Sequence, residues 1–338
     1  MDNKHFIALD ISGTNTSFGI IKKIYERFEL VYHKTMKTKD IESVTIEFLN
    51  NLVKGYNDFN THTSVPCCIS IAGILNKEKT TCELTNCKLA IDIKSFIKKK
   101  NYYPVKLIND FEAIGYGIDH LQKEDIITIY NPVEKIKPNN KEVRAVIGAG
   151  TGLGKTIMIY DKRAKSYFSI SSAGGHSDLP AINKNELELI DWIKRLRGGD
   201  SPVEYEDVLS GRGIERIYQF LNESKNGKTK EHENKNAEWI SKHAKKNDYL
   251  CSKTFELFTT FYSRALRNFA LEVMPRGGLY IAGGIAMKNH IYFEDEIFKN
   301  EFFNNHSQEQ LLKEIPIFLI NNYKVSLIGA GAVASLHI

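Results

Sequence analysis

No stretch of this sequence approaches the eighteen or so uninterrupted apolar residues that a bilayer-spanning helix requires, so a membrane protein of that kind is not expected. Met1 to Lys4 is polar, and the run Phe6-Ile7-Ala8-Leu9 is too short for the apolar core of a secretory leader and meets Asp10 at once. The expected location is the cytoplasm. Cysteine is scarce: the five residues Cys67, Cys68, Cys82, Cys87 and Cys251 form no CxxC pair and have no histidine at finger spacing, which argues for idle thiols over a disulfide framework or a zinc site. Basic residues exceed acidic ones by only five, 46 against 41, and fall in short knots such as Lys98–Lys100 and Lys245–Lys246. A nucleic-acid face would need a continuous basic stripe, so no nucleic acid partner is expected, while a mild positive excess suits an anionic nucleotide. Neither GxxxxGK[ST] nor GxGxxG in a strand-to-helix context occurs, which removes the P-loop and Rossmann readings.

What is present is an ordinary globular composition, 42% hydrophobic and 26% charged, over 338 residues. That length fits two domains, and two domains imply a cleft. The chain opens as strand, turn and strand: Phe6 to Leu9, the turn Asp10-Ile11-Ser12-Gly13-Thr14-Asn15, then Thr16 to Ile21, with a third β-rich run at Phe28 to Tyr32. Ile41, Val44, Phe48, Leu49, Leu52, Val53 and Tyr56 recur at three and four residues and predict an amphipathic helix over the sheet. The continuous apolar runs Cys67 to Ala72 and Val105 to Ile108 read as strands covered on both faces.

About 140 residues after the first turn the pattern returns: Val143 to Ala149, the turn Gly150-Thr151-Gly152-Leu153-Gly154, and Thr156 to Tyr160. Helical spacing follows at Glu186 to Arg197 and Lys253 to Val273, and a short strand, Leu279 to Ala282, runs into Gly283-Gly284. Asn222 to Asp248 is rich in Asn, Lys and Glu and reads as a surface excursion, whereas Lys324 to Leu336 reads as a closely packed apolar helix.

Both glycine-bearing turns are places where backbone N–H groups can meet phosphate oxygens, although hairpins also use glycine for purely steric reasons. Asp10, at a strand end, is either a turn cap or a carboxylate that touches Mg²⁺ through water. Asp110, after Leu107-Ile108-Asn109, is either a helix cap or the acceptor of an alcohol proton. Thr14, Asn15 and Thr151 add hydroxyl and amide groups suited to phosphate.

Taken in order, DISGTN (Asp10 to Asn15), INDFEAIGYG, GAGTGLG, AGGHSD (Ala173 to Asp178), VLSGRGIERIY (Val208 to Tyr218), YIAGGIAMK (Tyr280 to Lys288) and LIGAGA resemble the successive motifs of bacterial-type glucokinases, within the hexokinase and actin-like ATPase superfamily. The match runs from Ile7 to Leu336. The resemblance implies an α/β protein of two actin-like (ribonuclease H-like) ATPase domains with a cleft between them, a small one of residues 1–110 plus 324–338 and a large one of 111–323. It implies a cytoplasmic ATP-dependent hexokinase, a glucokinase, acting with Mg²⁺ and forming a homodimer, with hexose and ATP as its partners. By the same resemblance Asp110 is the general base and Asn109 holds a sugar hydroxyl, with Asn86, His176 and Glu206 as further sugar contacts. Asp10, Gly13, Thr14, Asn15, Thr151 and Gly152 would handle phosphates, and Gly283 and Gly284 would border the adenosine.

One departure bears on the substrate. The family carries Glu in GEGGH, and here Ala173 stands in its place; Ser12, where Gly is usual, is a milder change. The alternatives are therefore a kinase for an amino, acetamido or epimeric hexose, and a sugar- and nucleotide-binding regulator without turnover. Zinc, found beside an equivalent histidine in a related group, is not expected, since no cysteine lies between His176 and Cys251.

Overall fold

The computed structural model describes residues 4–25, 27–56, 64–84, 89–99, 102–132, 141–226 and 235–336. The chain divides into two compact units: residues 1–125, 158–171 and 322–338 form the first, and 126–157 with 172–321 form the second.

In the first unit β1 (His5–Ile11), β2 (Asn15–Ile24) and β3 (Arg27–Lys37) form an antiparallel meander. β4 (Cys67–Ile71) lies parallel to β1. After a small antiparallel sheet of β5 (Gly73–Leu75), β6 (Thr81–Leu84) and β7 (Ala90–Asp92), β8 (Val105–Asn109) lies parallel to β4. The main order is β3–β2–β1–β4–β8.

Alternation along β1 and β4 explains why both are apolar throughout. Ile7, Leu9, Ile11, Cys67, Ile69 and Ile71 join one core with Leu49, Leu52 and Val53 of the helix Ile46–Val53. Phe6, Ala8 and Cys68 join another with Ala113, Leu327, Ala330 and Val333 of the helices Asp110–Gly117 and Val325–Ser335. Those two helices touch backbone to backbone: a Cβ on Gly329 would lie 1.8 Å from the Ala113 carbonyl oxygen.

The first helix is shorter than its apolar spacing predicts. Thr45 caps it by accepting from the Phe48 amide at 3.1 Å, and Ile41 and Val44 reach the core from the extended chain before that cap. Burial periodicity without a capping residue therefore overstated the helix.

In the second unit the sheet order is β11–β10–β13–β14–β9, with β9 at Ile126–Tyr130, β10 at Arg144–Ala149, β11 at Leu153–Asp161, β13 at Leu279–Ala282 and β14 at Ile317–Ile320. β11 continues past Ile157 and turns into β12 (Ser166–Ser172), a segment counted through Ser171 with the first unit. Each sheet thus contains an antiparallel hairpin followed by two parallel strands, β2–β1–β4–β8 and β11–β10–β13–β14.

The 25-residue helix Tyr249–Val273 fills the second core with Phe255, Phe258, Phe261 and Tyr262. The segment Asn222 to Asp248 is not simply a surface excursion. The helix Gly211–Asn226 extends into it and a second helix, Ala237–Ala244, buries Ile240 and Ala244, because Asn236 caps an apolar 237-240-244 face that the surrounding lysines conceal in the composition. Among the described residues no helix is long and apolar enough to cross a membrane.

Candidate functional site

In the first unit the polar ends of three adjacent parallel strands converge. Asp10 of β1 is in register with Ser70 of β4, and Ile71 of β4 with Asn109 of β8, so the three strand ends lie at one level. Carboxyl ends of parallel strands are where α/β sheets expose side chains to ligands. Ser70 Oγ donates to Asp10 Oδ1 at 2.9 Å, and Ser326 Oγ, from the last helix, donates to Asp10 Oδ2 at 2.5 Å. Burial raises the Asp10 carboxyl, and the two hydroxyls oppose that rise.

Asn109, not Asp110, is the cap of the next helix. Its Oδ1 accepts from the Phe111 amide at 2.9 Å, while Glu112 Oε2 accepts from the Asn109 amide at 3.0 Å, completing a capping box. Asp110 is the first helical residue, with its Oδ1 3.1 Å from the Phe111 amide. Burial pushes its carboxyl up to about 7, the Asp10 charge adds to that, and nearby amides oppose it.

The turn between β1 and β2 is drawn tight by Ser12, whose amide and hydroxyl both donate to the Asn15 carbonyl at 3.0 and 2.9 Å. Gly13 is half-buried and Thr14 and Asn15 are exposed. The Asn15 Oδ1 accepts from Lys37 Nζ at 3.0 Å, which leaves its amide hydrogens for another acceptor.

The second unit holds the other residues. Gly150 and Gly152 close a turn through an amide–carbonyl bond of 2.8 Å, and the Gly211 amide, opening the helix Gly211–Asn226, donates to the Gly150 carbonyl at 2.9 Å. Among the described residues, its two chain neighbours aside, nothing lies within 4 Å of a Cβ placed on Gly150. Gly283 has φ +94 and a Cβ on it would meet the Ala149 carbonyl oxygen at 2.6 Å, so two constraints demand glycine. Gly284 begins the short helix Gly284–Lys288, and Ala282 of β13 is in register with Gly148. Gly283 therefore adjoins the turn that carries Thr151.

Glu206 Oε2 accepts from the Leu153 amide at 2.9 Å, so the second turn and the carboxylate are locked together. His176 ends a 3-10 turn, Gly174–His176, and its Nδ1 donates to Glu204 Oε2 at 2.8 Å. That bond raises the histidine pKa, with the charges of Glu206, Glu204 and Asp207 adding and burial opposing. Asp207 in turn accepts from Arg197, from Arg216 Nη1 at 2.8 Å and from the Glu204 amide at 2.8 Å, and so fixes the loop that presents Glu204 and Glu206.

Several of these partners escaped the sequence reading: Ser70, Ser326, Glu112, Glu204 and Asp207. The spacing Asn109-x-x-Glu112 is a capping-box signal that could have found Glu112. Ala173 is exposed at the start of the 3-10 turn, and the buried Lys155 packs over the rings of Tyr205 and Phe269, each at 5.2 Å, beneath Gly174. Asn86 lies outside the described residues.

Among the described residues no group of three or more His, Cys, Asp or Glu is arranged to hold a metal. A cation ligated mainly by protein side chains does not fit this donor set. A strand-end carboxylate such as Asp10 suits instead a hydrated cation such as Mg²⁺, which it would touch through water.

A sequence model of the Glucokinase family matches residues 7–337. The chain is 33% identical to a protein named Glucokinase from Trichormus variabilis, over 97% of this chain and 98% of that one. It is 31% identical to the one from Nostoc punctiforme over the same shares. Among solved structures, a glucokinase from an Antarctic psychrotroph superposes with a TM-score of 0.80 at 25% identity, covering 99% of both chains. A Balamuthia mandrillaris glucokinase, solved in complex with glucose, shares the fold with a TM-score of 0.79 at 21% identity, over 98% of this chain and 94% of that one.

Proposed function

This chain belongs to the glucokinase family, and on that premise we propose that it is an ATP-dependent hexokinase that phosphorylates the 6-hydroxyl of glucose. The single observation that carries the mechanism is Asp110: a carboxylate at a strand end, beside a fixed Asn109, whose proton affinity is raised to about 7 by burial and by Asp10. A general base is most useful when its pKa lies near the working pH.

In this reading Asp110 accepts the hydroxyl proton as the sugar oxygen forms its bond to the γ-phosphorus and the bond from that phosphorus to the bridging oxygen breaks, releasing ADP. Asn109 orients the acceptor hydroxyl, and His176 and Glu206 hold ring hydroxyls, since a site built to hydrogen-bond hydroxyls rejects analogues that lack them. The turns Gly13–Asn15 and Thr151–Gly152 offer amides and hydroxyls to the phosphates, and Gly283 and Gly284 border the adenosine. Mg²⁺ bound with ATP, held through water by Asp10, would offset phosphate charge. A cytoplasmic enzyme is consistent with ATP as donor and with the four described cysteines, Cys67, Cys68, Cys82 and Cys251, being free and buried.

A second reading, a kinase for a 2-amino, acetamido or epimeric hexose, is favoured by one feature: the exposed residue that opens the turn carrying His176 is Ala173, a methyl group with no carboxylate of its own, and the carboxylate bonded to His176 comes from Glu204 instead. ADP release measured against a panel of hexoses separates the two. Fastest turnover on glucose supports the first, fastest turnover on a substituted hexose supports the second, and no turnover with any hexose would sink both.

A further inference from the structure

Glu112 has no role in the chemistry described above, yet it is held more firmly than an ordinary capping residue. Its side chain is 1% exposed. Its two oxygens collect donors from three stretches of the first unit: the Asn109 amide at 3.0 Å, Lys79 Nζ at 3.0 and 3.3 Å, and Ser169 Oγ at 2.9 Å. A buried carboxylate stays ionised only when such donors replace its water, and together they outweigh the burial that would otherwise raise it.

The supporting residues are themselves fixed. Lys79 adopts φ +51 in the β5–β6 turn, a conformation that costs energy for a residue with a Cβ. Asn76 Oδ1 locks that turn by accepting from the amides of Thr80 and Thr81 at 2.7 and 3.0 Å. On the other side the Ser169 amide donates to the hydroxyl of Tyr116, which lies one turn further along the helix that Glu112 occupies.

A helix cap by itself needs none of this, since a solvent-exposed Glu at the third helical position satisfies the same amide. The extra anchors tie one peptide, that of Asn109, to the β5–β6 turn and to β12. Asn109 directly precedes Asp110, so any rotation of that peptide swings the Asp110 carboxylate. We propose that Glu112, braced by Lys79 and Ser169, is a positioning residue that sets the Asn109–Asp110 pair for proton abstraction from the sugar. This rests on the reading of Asp110 as the general base.

The test is a double-mutant comparison. Glu112→Gln and Lys79→Met are each made in the native chain and in Asp110→Asn, with Lys79→Arg as the conservative variant. Misplacing a reacting group by about 1 Å costs up to roughly 10²-fold, so kcat of Glu112→Gln should fall about ten- to a hundredfold. KM for hexose and for ATP should stay within about twofold, as expected when an interaction made only in the transition state is lost. Lys79→Arg should recover most of the activity lost in Lys79→Met. In the Asp110→Asn background neither substitution should lower kcat further, because the group being positioned is gone. Unchanged kcat in Glu112→Gln, or the same proportional loss in both backgrounds, overturns the proposal. Near-full turnover of Asp110→Asn alone sinks the base reading itself, a result separate from either. If Glu112→Gln does not fold, Lys79→Met, whose native side chain is 51% exposed, carries the same comparison.

Discussion

Asp110 owes its proton affinity to burial first and then to the carboxylate of Asp10, which ends a parallel strand two positions away in the same sheet. Two like charges near one another make the second ionisation harder, and burial raises both carboxyls.

Asp110→Asn should lower kcat by about 10²- to 10⁴-fold while hexose and ATP still bind. In the native enzyme kcat/KM should rise with pH through about 7 as Asp110 loses its proton, and that limb should vanish from the residual activity of the variant. Steady-state rates between pH 5.5 and 8.5, a window on the order of one to two units each side of the pKa, check both statements. A pH-independent native profile would remove Asp110 from the proton transfer.

The same carboxylate should cost stability. Its folded pKa, about 7, lies above the ordinary aspartate value near 3.9, so between those pH values the native state binds more protons than the unfolded chain. Stability contributed through this group is therefore lost as pH rises from about 4 to about 7, and the full penalty remains above that. Each tenfold change in proton affinity is worth about 1.4 kcal/mol, so Asp110→Asn should stabilise by up to a few kcal/mol at pH 8 and by little at pH 4. Thermal melts of both proteins across that range decide it, and equal Tm differences at the two extremes would contradict the linkage.

Gly152→Ala should affect sugar as well as nucleotide. An added Cβ would stand 2.4 Å from Glu206 Oε2, the atom that accepts from the Leu153 amide, so the carboxylate must move. Loss of a hydrogen bond to a charged group is worth about 1.5–3 kcal/mol, which corresponds to a hexose KM raised by roughly one to two powers of ten. If only the ATP KM changes, Glu206 is not a sugar contact of consequence.

Ala173→Glu should lower the KM for glucose by a similar factor, roughly ten- to a hundredfold, by restoring a carboxylate acceptor beside the turn of His176. Where the native chain prefers a substituted hexose, the new side chain should reduce activity on that sugar at the same time by filling the space. Kinetics on glucose, mannose, glucosamine and N-acetylglucosamine report both effects. A native enzyme that already binds glucose tightly, with Ala173→Glu neutral or harmful, would strip position 173 of any bearing on substrate choice.

Much of the fold was legible because its signals are local. The strand Leu279–Ala282 appears where its apolar run ends in Gly283-Gly284, and the apolar helix near the C-terminus appears with Gly329 against the Ala113 carbonyl, as its internal glycines suggested. The turns after β1 and β10 were readable for the same reason, glycine beside polar residues at a strand end. The helix at Ile46–Val53 was overdrawn because apolar spacing reports burial and not hydrogen bonding, while Ala237–Ala244 was missed because one buried face is hidden in a polar average.

What the amino-acid sequence offered by itself is a set of candidate groups at strand ends, Asp10, Asn109, Asp110 and the two glycine-bearing turns, to which the family resemblance added His176 and Glu206. What only the tertiary structure decided is which neighbours give those groups their properties. Ser70 and Ser326 reach Asp10 across 60 and 316 residues of chain, Lys79 and Ser169 brace Glu112 across 33 and 57, and Glu204 meets His176 across 28. A pKa depends on burial and on charges a few ångströms away, and both are set by strand register and helix packing, which bring distant residues together with no trace in the local spacing.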